Sequence, residues 1–159
     1  PPEPTGLIVL PFLQGMGGTP DVLTGARGTI YGLTMHTTPA DIYRAILEGL
    51  TFEMQYNLEK LAKYNIHPTK LFAAGGGAKS EISLQLRADA MAEPLQVPTD
   101  VQAGARGAFL LAAKGLGWID SYTQLPCTIA RTVEPRRDTE QAYRRFLQLY
   151  QLLQPMKQA

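Results

Sequence analysis

The sequence predicts an α/β fold, and three observations carry that prediction. Short apolar runs alternate with longer helical stretches along the chain. A capped, strongly periodic helix begins at Thr38. Beyond it, two strand–helix–strand steps in succession call for a sheet with a parallel component. The 159 residues suffice for one sizeable core, so one compact domain is the expectation.

The first element is an apolar run at residues 7–13, LIVLPFL, read as a strand that Pro11 makes an edge or bulged one. Residues 14–26 carry Gly15, Gly17, Gly18, Pro20 and Gly25 and read as a long loop. Residues 28–33, GTIYGL, are a second strand, most simply antiparallel to the first. The next helix starts at Thr38, with Pro39 at its first position and Asp41 as the acid of a capping box. Ile42, Ile46, Leu50, Met54, Leu58 and Leu61 form its apolar stripe to about Tyr64, and Asn65 and Pro68 close it. Gly49, in mid-helix, marks close approach by another backbone, since Gly there costs about 1 kcal/mol against Ala.

Residues 70–74 read as a strand, 75–77 as a turn, and 80–93 as a helix stopped by Pro94. Residues 94–98 are a further short strand. The helix at 103–116, AGARGAFLLAAKGL, is apolar nearly all round and therefore expected to be buried. Asp138 caps a last helix whose stripe is Ala142, Tyr143, Phe146, Leu149, Tyr150 and Leu153, with Pro155 as its stop.

Composition narrows the function. Lys and Arg number 15 against 14 Asp and Glu, a net charge of +1, which argues against nucleic acid as the main partner. The adjacent pairs Arg136–Arg137 and Arg144–Arg145 read as solvated faces. Hydrophobic residues make up 45%, too many for disorder. The single cysteine, Cys127, excludes an internal disulfide framework and suits a reducing, cytoplasmic setting. No run is apolar enough to cross a bilayer, and residues 1–6 lack the features of a secretion signal. The absence of an initiating Met points to a piece of something longer.

The most informative stretch is LFAAGGGAKS, residues 71–80. A strand runs into Gly75, Gly76 and Gly77, and a helix then begins at the hydroxyl of Ser80. Glycines permit positive φ and close ligand approach, while a helix start offers unpaired N–H groups and a positive dipole end. This chemistry holds a phosphate or the polar edge of a nucleotide; a tight turn with no ligand is the alternative. Ala78 before Lys79 excludes a Walker A loop, and Ser80 stands where a full Rossmann fingerprint has its third Gly. Asp100, after the next strand, favours the Rossmann alternative, a dinucleotide-binding module. His36 and His67 have no neighbouring ligand at metal spacing and read as loop residues. Cys127 reads as an inert thiol, and Glu48 and Glu53 lie on different sides of their helix rather than as an acid–base pair.

Residues 28–48, GTIYGLTMHTTPADIYRAILE, resemble the second signature of the FGGY family of carbohydrate kinases without departure. The match runs through Gly28, Ile30, Gly32, Leu33, Asp41, Ile42 and Ala45 to Glu48. GGGAKS with Gln85 and Asp89 resembles the family's adenosine-binding turn and the helix behind it. GARGAFLLAA, residues 104–113, is similar to its GA-rich helix, and LPFLQG with Ala26–Gly28 to the lead-in.

The resemblance implies an actin-like ATPase, ribonuclease-H-like domain with a mixed sheet flanked by helices. Residues 1–159 would be most of the C-terminal, nucleotide-binding domain. The sugar-binding domain with its catalytic base, and the start of this domain, would lie elsewhere in a longer parent. It further implies ATP-dependent phosphorylation of a pentulose, hexulose or polyol, with Mg²⁺ carried on the nucleotide. No catalytic residue and no metal ligand is assigned to this chain, which is expected to be inactive alone. Gly75, Gly76, Gly77 and Ser80 would contact ATP or ADP; Lys79 reads as solvated, and Gln85 and Asp89 as seating their helix. The sugar would be met mainly through the other domain, and a second copy of the chain is a partner that the resemblance admits. Ser83 stands where many relatives have Trp, and Gln102 where many have Glu. The loop 15–25 lacks the aromatic–Trp–Asp–Pro character common among them.

Overall fold

The computed structural model describes residues 5–17, 22–23 and 25–153, and these form two compact units. The first unit comprises residues 1–67 and 137–159 and the second residues 68–136.

In the first unit, β1 (Ile8–Leu10) pairs antiparallel with β4 (Thr29–Tyr31), in the register Ile8 to Tyr31 and Leu10 to Thr29. The antiparallel pairing expected from sequence is therefore present. β1 stops short of residue 13 because Pro11 has no N–H to continue the ladder. The stretch read as a loop holds a two-residue antiparallel ladder, β2 (Met16–Gly17) with β3 (Val22–Leu23).

The helix α1 (Pro39–Ala62) begins as expected. The Thr38 hydroxyl accepts from the Asp41 N–H at 3.2 Å, and the Asp41 carboxylate accepts from the Thr38 N–H at 2.9 Å. Asn65 takes a positive φ of 60° just beyond the helix, in keeping with its role as terminator.

The stripe predicted for α1 needs correction. Leu50, Met54 and Leu61 are exposed, and the buried positions are Ala45, Gly49, Thr51, Phe52 and Lys60. Steps of four advance about 40° around a helix of 3.6 residues per turn, so a row from Ile42 to Met54 turns away from the core. The true seam follows Ala45, Gly49 and Phe52. A Cβ on Gly49 would lie 2.3 Å from the Val9 carbonyl oxygen, so the close approach is to β1.

The last helix, α4 (Glu140–Leu152), closes this unit with Tyr143, Phe146 and Tyr150 buried, as its stripe predicts. Phe146 stands 5.7 Å from Phe52, and Tyr150 packs on Phe12 at 5.8 Å and Tyr56 at 5.2 Å, centroid to centroid. The cap is displaced by one residue: Thr139 occupies the cap position, and Asp138 accepts from the Glu140 N–H at 2.9 Å. Pro155 lies outside the described residues.

The second unit is built on a three-stranded sheet in the order β5 (Leu71–Phe72), β6 (Leu95–Pro98) and β7 (Ile129–Val133). β5 and β6 run parallel, joined through α2 (Glu81–Met91), and β7 pairs antiparallel on the other side of β6. The sheet is thus mixed, with one parallel step where the sequence pattern promised two: β4 pairs with β1 in a separate sheet. β7 was not foreseen. Its Ile129, Thr132 and Val133 are strand formers, but Arg131 and the preceding loop interrupt the pattern. The core consists of Ala73, Ala78, Leu84, Ala88, Leu95 and Val97, with Leu71, Val101 and Val133 against it.

The expectation that the helix at 103–116 is buried fails. In α3 (Ala103–Gly115) only Ala113 is buried, while Phe109, Leu111 and the following Leu116 are exposed. Its large side chains stand on faces that the described residues of this unit do not cover. An apolar composition fixes what a helix would gain by burial, not what is there to bury it.

Candidate functional site

The glycine turn sits at the carboxyl ends of the parallel strands β5 and β6, the edge at which open α/β sheets characteristically bind ligands. Its position is held by the sheet. Ala73 donates its N–H to the Gln96 carbonyl at 2.9 Å, and Gly75 donates to that of Val101 at 2.7 Å. Residues Gly76–Lys79 then form one turn of 3₁₀ helix, with Ala78 buried as its anchor. The first bond of that turn runs from the Ala78 N–H to the Gly75 carbonyl, at 3.1 Å. The N–H groups of Gly76 and Gly77 precede it, so the turn itself supplies them with no acceptor.

The three glycines differ in conformation and surroundings. Gly75 has φ 76° and ψ −166°, a region essentially closed to residues with a Cβ. Gly77 is pressed by Arg87, whose guanidinium nitrogen would lie 2.8 Å from an added Cβ. Gly76 has neither constraint: φ is not positive and no other group would come within 4 Å of a Cβ. Neither backbone geometry nor packing gives a reason for a bare residue there.

Ser80 ends this turn and caps α2. Its hydroxyl accepts from the Ser83 N–H at 3.3 Å, and its carbonyl from that of Leu84 at 2.9 Å. The capping function read from the sequence is met. Its O–H proton is left to donate, and the next two N–H groups, of Glu81 and Ile82, belong to the open first turn. The Glu81 carboxylate pairs with Arg131, and the hydrogen bond from that guanidinium holds its pKa below the usual carboxylate range. Lys79 is exposed.

The remaining sequence candidates fall as follows. Gln85 donates to Asp89 at 2.7 Å and to the Glu134 carbonyl at 3.0 Å, and Asp89 accepts from the Arg136 N–H at 2.7 Å. These two side chains therefore tie α2 to the segment after β7, the seating role expected of them. Asp100 accepts from the Gln102 N–H at 2.9 Å in a local turn. His36, His67 and Cys127 are exposed. Glu48 pairs with Arg44 at 2.7 Å, and burial raises the pKa of Glu53, with Lys60 acting against that shift.

Among the described residues, no three His, Cys, Asp or Glu stand together to hold a metal ion, and no helix is long and apolar enough to cross a membrane. A cavity of about 30 Å³ in the first unit, lined by Val9, Glu48, Gly49, Phe52 and Arg145 among others, has room for a water-sized group only. Arg87 and Arg131 were missed from the sequence. For Arg87 a signal existed: it stands seven residues after Ser80, two helical turns along the same face.

Residues 1–116 match the family model for the C-terminal domain of the FGGY family of carbohydrate kinases. A xylulose kinase of Staphylococcus epidermidis (strain ATCC 35984) is 29% identical over 151 residues, covering 93% of this chain and 30% of that protein. A glycerol kinase of Gloeobacter violaceus is 33% identical over 125 residues, covering 78% and 25% respectively. The crystal structure of a "xyloylose kinase" from Brucella ovis superposes with a TM-score of 0.83 at 31% identity, over 96% of this chain and 33% of that one. The chain thus spans about 30% or less of the length of these two curated relatives.

Proposed function

The chain belongs to the FGGY family of carbohydrate kinases, and from that premise we propose that it is the nucleotide-holding part of an ATP-dependent enzyme that phosphorylates a hydroxyl of a sugar or polyol. The observation that carries the reading is the glycine turn at the carboxyl ends of β5 and β6, where the N–H groups of Gly76 and Gly77 have no acceptor in their turn and nothing lies within 4 Å of a Cβ on Gly76. Gly75 sets the turn, the amides of Gly76 and Gly77 meet the polar edge of the nucleotide, and Ser80 offers its hydroxyl at the helix start. A helix N-terminus and free amides stabilise negative charge without a basic surface, which accords with a net charge of +1.

Phosphoryl transfer depends mainly on positioning and charge neutralisation. ATP supplies the transferred phosphoryl group, and Mg²⁺ accompanies it. The described residues offer no cluster of His, Cys, Asp or Glu to fix that ion. The base that activates the acceptor hydroxyl, and most contacts to that acceptor, are assigned to the rest of a longer polypeptide, with domain closure excluding water. The acceptor class is a pentulose, hexulose or polyol, in line with the xylulose and glycerol kinases among the relatives. The setting is cytoplasmic, where ATP and free thiols occur together.

Calorimetric titration of the chain with ATP, ADP and NAD tests the proposal. Saturable ATP and ADP binding, with no turnover of pentuloses or glycerol by the chain alone, is the expected result. Saturable NAD binding without ADP binding would overturn it in favour of a dinucleotide module.

A further inference from the structure

Among the described residues, no ion pair engages the cation pressed against Gly77. A Cβ at Gly77 would meet Arg87 Nη2 at 2.8 Å, Nη1 at 3.3 Å and Cζ at 3.4 Å. Both terminal nitrogens lie nearer than Cζ, so the guanidinium meets the glycine with its Nη1–Nη2 end. Side chains on a helix lean toward its N-terminus, and Ser80, Ser83 and Arg87 share one face of α2 and its cap. Arg87 therefore reaches back to the turn instead of out to solvent, and it is half-buried there.

No carboxylate among the described residues pairs with Arg87. The acids at either end of α2 are engaged elsewhere, Glu81 by Arg131 and Asp89 by Gln85 and the Arg136 N–H. A guanidinium is charged at any working pH and carries five N–H donors in a planar fork suited to phosphate. We propose that Arg87 makes the glycine turn selective for phosphorylated nucleosides, setting a positive charge beside the amides of Gly76 and Gly77. This rests on the nucleotide reading above and adds to it a specific residue and a ligand preference. It also gives Gly77 its reason: any larger residue would push the guanidinium off the turn.

The test uses the whole chain, with ADP and adenosine as calorimetric probes and circular dichroism to establish folding. Arg87→Met keeps the apolar stem and removes the charge. It should weaken ADP binding by about tenfold, the scale of one hydrogen bond to a charged group, and leave adenosine binding unchanged. Arg87→Lys should retain most of the ADP preference. Gly77→Ala should weaken ADP binding more than adenosine binding in the Arg87 chain, because it displaces the guanidinium. An equal loss for ADP and adenosine would reduce Arg87 to a prop for the turn and overturn the inference, as would no loss for either. If the folded wild-type chain binds no ADP at all, the nucleotide reading itself fails and this inference with it. Should Arg87→Met not fold, the comparison of Gly77→Ala with Arg87→Lys decides.

Discussion

Gly49→Ala should destabilise the first unit, although Ala is the better helix former. An added Cβ would stand 2.3 Å from the Val9 carbonyl oxygen, 3.2 Å from its carbon and 3.4 Å from Val9 Cβ. A carbon and a carbonyl oxygen in ordinary contact lie about 3.3 Å apart, so α1 or β1 must yield by about 1 Å. Neither does so cheaply. Val9 is buried and locked into the ladder with Ile30, and Gly49 is buried between Ala45 and Phe52. Overpacking of this kind costs about 1–3 kcal/mol, and rigid main-chain partners put it at the upper end. Propensity returns about 1 kcal/mol, leaving a net loss of about 2 kcal/mol. Gly107→Ala in α3 is the control: nothing lies within 4 Å of its Cβ position, so propensity acts alone and stabilises by about 1 kcal/mol. Urea unfolding followed by circular dichroism and by tyrosine fluorescence reads both variants. If Gly49→Ala stabilised the protein as Gly107→Ala does, the packing of β1 on α1 would be wrong.

The glycine turn separates strain from ligand contact. Gly75→Ala should cost about 1–3 kcal/mol in thermal denaturation for its forbidden conformation, whereas Gly76→Ala should leave the midpoint unchanged and weaken ADP in a titration. Phe146→Ala should cost about 3–5 kcal/mol by urea unfolding, because Phe146 is among the largest fully buried side chains and packs on Phe52. Burial raises the pKa of Glu53, so the folded state binds its proton more tightly than the unfolded state. Stability then falls as pH rises from the ordinary carboxylate range through the raised value, and Glu53→Gln should flatten that slope in unfolding curves taken across the acidic range.

Much of the architecture was legible wherever a local signal fixed it. The capping box at Thr38 and Asp41, the cap at Ser80 and the stripe through Tyr143, Phe146 and Tyr150 depend on neighbours within two helical turns, which the sequence displays directly. Gly49 was legible as an anomaly because a glycine in mid-helix is unfavourable unless a backbone comes close. What escaped depends on distant partners. The buried seam of α1 is set by where β1 lies, so its Leu and Met residues misled while Ala45 and Gly49 held the contact. The exposure of α3 follows from what stands beside it, and β7 pairs with a strand more than thirty residues away. At the site, the three glycines were visible as a group, but only the structure separates the strain at Gly75, the Arg87 contact at Gly77 and the open space at Gly76. Arg87 shares a helix face with Ser80 in the sequence, but its contact with Gly77 exists only once the turn has folded.

Amide chemical shifts recorded during an ADP titration of the isotope-labelled chain test the central claim most directly. The expected result is saturable perturbation centred on the N–H groups of Gly76, Gly77 and Ser80, with the first unit's signals from Gly49 and Phe146 unmoved. Perturbations that miss residues 75–80, or a response to NAD with none to ADP, would contradict it.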